Sequence, residues 1–153
     1  MHIYAKNLTT LTIYILISLL IATGLLYIGR GKRVTKIIAG ILLLISFYGI
    51  LSYTVIGRTP SETHTIVFSA ALGNEFIREL YMNALLYYPF GLTLTVLIGP
   101  WSILISFLLS VLIESWQYMA GTGLAQGTDI IMNTLGCAIG AVPYLIAKFL
   151  NRK

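Results

Sequence analysis

The chain has little charge, little histidine and almost no cysteine. Of its 153 residues only 10% are charged, while 58% are hydrophobic. A soluble domain carries about 25% charged residues. This shortage excludes a water-soluble globular domain, and the mean hydropathy of +0.89 makes the chain an integral membrane protein with one domain, 1–153. The single cysteine, Cys137, excludes an internal disulfide. It lies in an apolar run and reads as a small buried residue. The histidines, His2 and His64, lie outside the apolar runs, and neither has a second ligand at metal spacing. No metal and no cofactor is therefore expected. The net charge of +5 is a topology signal. The basic residues flank apolar runs instead of forming a solvated face, which argues against a nucleic-acid partner. No internal repeat, low-complexity linker or cleavable signal peptide is evident, since the first apolar run is charge-free and longer than a signal core.

What the chain does have is long apolar runs. A span needs roughly 20 such residues. The runs 8–28, 37–56, 80–98, 101–118 and 130–147 qualify. The third and fourth come from one uncharged stretch, broken at Gly99-Pro100 into a tight hairpin. The expected fold class is all-α: a polytopic membrane bundle of five transmembrane helices. Basic residues orient it. Arg30, Lys32, Arg33 and Lys36 follow the first run, and Lys148, Arg152 and Lys153 follow the last. Five crossings put both groups on one side, leaving Lys6, Arg58 and Arg78 on the other. This predicts an external N-terminus and a cytoplasmic C-terminus. Tyr53, Tyr81, Trp116 and Tyr118 fall at the outer interface, Tyr27 and Trp101 at the inner one. The external loop, 57–79, contains "TIVFSAALGN", apolar but too short to span, which suits an interfacial segment or a cover over the outer mouth. Glu75 and Arg78 follow on neighbouring faces of a helix start.

Several polar residues stand where lipid disfavours them. Glu114 and Gln117 share a helix face in the last two turns of the fourth span. Asp129, Asn133, Gly136 and Gly140 are spaced 4, 3 and 4 along the fifth, one stripe that is polar at its outer end and glycine deeper. Glu79 and Asn83 open the third span, and Arg58 follows the second. All lie in the outer half of the bundle. Gly136-x-x-x-Gly140 allows close helix approach. The short loop "AGTGLAQGT" makes the fourth span the expected partner of that stripe. Pro89-Phe90-Gly91 predicts a kink in the third span. A charge at a helix centre costs roughly 2.5–3.5 kcal/mol on insertion scales. Glu114 and Asp129 therefore need partners: either a structural network, or a site for a head group or acid–base chemistry.

These residues carry a resemblance. "IGRTP", then "MNALLYYPFG", "ESWQ" and "TDIIMNTLGCAIG" resemble the VanZ-like family over about 57–144. The matching positions are Arg58, Asn83, Pro89, Phe90, Gly91, Glu114, Gln117, Asp129, Asn133, Gly136 and Gly140. One departure stands out. Many relatives carry an arginine in the loop before the Asp-x-x-x-Asn motif, where this chain has Gly123 or Leu124. Arg58 and Arg78 are the candidates to replace it. The resemblance implies a multi-pass bacterial cell-membrane protein associated with low-level resistance to the glycopeptide teicoplanin.

Three functions fit. The first is a non-catalytic protein whose outer polar pocket binds a lipid, a lipid-linked wall precursor or the acyl tail of a lipoglycopeptide. Its residues would be Arg58, Glu79, Asn83, Glu114, Gln117, Asp129 and Asn133. The second is a small membrane enzyme using Glu114 and Asp129 as acid and base, or as ligands to a divalent cation with Asn133. No catalytic residue is assigned. The third is a transporter or a subunit of a larger assembly, such as a homo-oligomer.

Overall fold

The computed structural model describes residues 33–56, 58–59, 65–68 and 74–150, together with Ile13 and Ile17. Helix α1 is Arg33–Thr54, strand β1 Ile66–Val67, α2 Asn74–Ile98, α3 Trp101–Ala120, β2 Ala125–Gln126 and α4 Gly127–Leu150.

The expected count of five spans is corrected to four. Among the described residues, four helices are long and apolar enough to cross a membrane. The expected first span, 8–28, lies outside those residues except for Ile13 and Ile17, which are helical and exposed. The expected external N-terminus lies outside the described residues. Four crossings bring both ends of the described bundle to one face, with Arg33, Lys36 and Lys148 there. Arg58, Arg78, Glu79, Glu114 and Asp129 mark the opposite, polar end. His2, His64, Tyr27 and the loop residues 57, 60–64 and 69–73 lie outside the described residues.

The turn between α2 and α3 follows from two residues. Gly99 takes φ +70°, which only glycine adopts without strain. Pro100 then caps α3 with φ −65°, where its missing N–H costs nothing. At the other end of α3, Gly121 is left-handed, with φ +61°. Thr122 N–H bonds Gln117 O at 3.1 Å and Gly121 N–H bonds Tyr118 O at 3.3 Å, a Schellman closure.

Helix α2 is central and continues unbroken through Pro89. Thr93 Oγ1 bonds back to Pro89 O at 2.8 Å. The apolar core joins α1, α2 and α3 through Ile50, Leu86, Tyr87, Phe90, Leu94 and Ile113. The Tyr87 and Phe90 rings meet edge-on, 6.1 Å apart. The most extensive helix interface is between α2 and α4, which run parallel with α3 as the crossover.

The glycine stripe explains that interface and corrects its expected partner. A β-carbon at Gly136 would strike the backbone of Ala84, and one at Gly140 the carbonyl of Tyr88. Both obstacles belong to α2, not α3. Gly91 reciprocates, its bare α-carbon facing the Cys137 carbonyl. Loop length governs which helices are sequential neighbours, but side-chain bulk governs how closely backbones approach. Helix α3 instead presents a serine face. Ser102, Ser106 and Ser110 recur every four residues and all are fully buried.

Candidate functional site at the polar end

The two connections at the polar end pair with each other. β1 and β2 run parallel, with Ile66 opposite Ala125 and Val67 opposite Gln126. Ala125 N–H donates to Thr65 O at 3.2 Å. Successive strand amides point to opposite edges, so Gln126 N–H faces the bundle. There it donates to Glu114 Oε2 at 2.8 Å. The carboxylate thus ties the β-cap to α3. Phe68 lies across Gly127, its ring 3.0 Å from where a β-carbon would stand. Ile66 and Phe68 remain 71% and 76% exposed, placing apolar side chains at the rim of the polar end.

Glu114 is only 6% exposed. Its charged neighbours are Asp129 and Arg58. Beside it, between α3, α4 and the cap, runs an open groove of about 270 Å³. Ile66, Val111, Glu114, Met119, Gln126 and Ile130 are among its lining residues, and Glu114 supplies the charge. The Gln126 Oε1 atom is buried without a partner.

The other polar residues divide among different neighbours. Asp129 turns toward α2, where Asn83 is its hydrogen-bonding neighbour and Glu79 lies nearby. It does not line the groove. Gln117 turns toward α1, its Nε2 donating to Thr54 O at 2.8 Å and thereby satisfying a carbonyl at that helix end. Asn133 points inward, its Nδ2 donating to Ser110 Oγ at 2.8 Å. Arg58 is exposed, and its Nη1 lies 2.9 Å from the position of a Gly123 β-carbon. The guanidinium therefore occupies the space over the loop position that lacks the expected arginine. Tyr53, Tyr81, Trp116 and Tyr118 are exposed at this end, and Trp101 at the other.

Sequence reasoning missed Ser110, Gln126 and Thr54. Ser110 was detectable, because the serine period of four within an apolar run marks a buried polar face. Gln126 and Thr54 act through backbone groups and carry no residue-type signal. Among the described residues, no three of His, Cys, Asp and Glu gather as metal ligands.

The sequence profile of the VanZ/LLP1 family matches residues 11–148. The chain belongs to the VanZ/LLP1 family. The match covers nearly the whole chain, including the polar end and the α2–α4 interface. No curated protein and no solved structure shows significant similarity to it. This VanZ-like chain is a multi-pass membrane protein, and its family membership agrees with the resemblance read from Asn83, Pro89-Phe90-Gly91, Glu114, Gln117, Asp129 and Asn133.

Proposed function

We propose that this VanZ-like protein binds an amphipathic envelope molecule in the groove beside Glu114 and so alters susceptibility to teicoplanin. The ligand is a membrane lipid, a lipid-linked wall precursor or the acyl tail of a lipoglycopeptide. The observation that carries this reading is a buried carboxylate in an otherwise largely apolar groove. One Glu114 oxygen takes the Gln126 N–H. The carboxylate can accept further donors from a head group, while Val111, Met119 and Ile130 suit a hydrocarbon chain. The basic residues at the opposite end support placing the polar end toward the outer leaflet, where such molecules reside. The enzyme reading has less support, since Glu114 is held by the Gln126 amide of the cap while Asp129 turns to Asn83 of α2 and does not line the groove.

The test is teicoplanin susceptibility of a Gram-positive host expressing wild type, Glu114→Gln, Glu114→Leu or Asp129→Asn at equal membrane abundance. Binding by hydrogen bonding predicts protection by wild type and Glu114→Gln, and loss in Glu114→Leu. Loss in both Glu114→Gln and Asp129→Asn would favour acid–base chemistry. Absence of protection by wild type would overturn the teicoplanin link.

A further inference from the structure

The junction of α2, α3 and α4 holds a second polar cluster, deeper than the groove. Tyr87 comes from α2, Ser106 and Ser110 from α3, and Asn133 and Cys137 from α4. Tyr87 and Ser106 are fully buried, and Asn133 nearly so. The contacts knit them into one cluster. Asn133 Nδ2 bonds Ser110 Oγ at 2.8 Å. The Tyr87 hydroxyl has Ser110 as a hydrogen-bonding neighbour and lies near Cys137. Ser106 lies one turn from Ser110 on the same buried face and neighbours Cys137.

Three buried oxygens in this cluster make no hydrogen bond of good geometry: Asn133 Oδ1, and Tyr87 Oη and Ser106 Oγ, beside which only Ser110 and Cys137 stand as hydrogen-bonding neighbours. They come from three different helices. Exchanging the oxygen and nitrogen of the Asn133 amide would not help, since one of the two would still face the cluster unpaired. Buried polar groups are almost always paired, with protein or with ordered water, and a bilayer interior offers no bulk water as a substitute. One orphan could be a local imperfection. Three such oxygens on converging helices are what one shared partner would satisfy together.

We propose that this junction is an internal hydration site, binding one or two water molecules among Tyr87 Oη, Ser106 Oγ and Asn133 Oδ1. Water fits the inventory. It can donate to the Asn133 carbonyl, accept from the Tyr87 hydroxyl, and take either role toward Ser106, within the two to four bonds that buried waters make. A bare cation fits less well, because these three oxygens carry no formal charge. The bound water adds a three-way bridge to helices that already share the Asn133–Ser110 bond. It also places a polar floor beneath Glu114 and Asp129, both electrostatic neighbours of Tyr87.

The experiment is thermal unfolding of the full-length protein in detergent for wild type, Tyr87→Phe, Ser106→Ala and the double variant. A shared water predicts a lower Tm for each single variant, and a double variant that loses less than their sum. A Tm raised or unchanged by Tyr87→Phe would overturn the proposal, because deleting an unpaired buried hydroxyl is then neutral or favourable. Replacing sodium and potassium by choline should leave Tm unchanged; a fall would replace water by a bound cation. A high-resolution map supplies a readout independent of variant folding. Solvent density within hydrogen-bonding distance of these oxygens is expected, and its absence in a well-ordered map would overturn the site.

Discussion

The guanidinium of Arg58 lies over the bare α-carbon of Gly123, with Nη1 2.9 Å from the position of a β-carbon there. The two residues are complementary. A long cation reaches in from the end of α1 over a loop residue that offers no side chain. If this guanidinium serves the groove, Arg58→Ala should weaken teicoplanin protection without destabilising the bundle. Gly123→Arg in the Arg58→Ala background should restore it by presenting the same group from the opposite loop. Susceptibility assays of the two single variants and the double variant at matched abundance check this.

Gly136→Ala and Gly140→Ala should each destabilise the bundle by about 1–3 kcal/mol, the range for overpacking. The obstructing atoms are backbone atoms of α2 and cannot rotate away. At Gly40 and Gly49 in α1, a β-carbon would meet nothing within 4 Å. Alanine there should change stability by less than about 1 kcal/mol, its helix-propensity gain. Chemical unfolding in mixed micelles separates the two pairs.

Glu114→Gln should fold like wild type, because a side-chain carbonyl can accept the Gln126 N–H in place of the carboxylate. Glu114→Ala leaves that amide unpaired and should cost about 1–3 kcal/mol. Faster backbone hydrogen exchange at Gln126 in the alanine variant alone would identify the lost bond.

Gln117→Leu should lower stability by a similar amount, about 1–3 kcal/mol, by stripping Thr54 O of the 2.8 Å bond from α3. Its effect should add to that of Gly136→Ala, since the two act at separate interfaces. A double-mutant unfolding cycle measures the additivity.

Four crossings place the beginning of α1 and the end of α4 on one face. Cysteines introduced at Lys36 and Lys148 should react with an impermeant maleimide from the same side of the membrane. One introduced at Arg58 should react from the opposite side. Native Cys137 is fully buried, so background labelling should be low.

Much of this was legible in the chain. The apolar runs around 37–56, 80–98, 101–118 and 130–147 correspond to four helices, because length and hydropathy alone meet the requirement for crossing lipid. The helices extend past those runs at their starts, from Asn74 and from Gly127. Gly99-Pro100 marks a turn by backbone chemistry that needs no tertiary partner. The concentration of Glu79, Asn83, Glu114, Gln117, Asp129 and Asn133 at one end follows from helical spacing and alternating direction.

The pairing of those residues was not legible. Helical periodicity says which side chains share a face, but not which neighbour that face meets. Only the tertiary structure sends Gln117 to α1, Asp129 to α2 and Glu114 to the cap. It also assigns the glycine stripe to α2, against the expectation from chain order. An apolar run determines that a segment prefers lipid, a property each residue carries by itself. A place in the bundle depends on contacts between distant segments, and those exist only once the chain has folded.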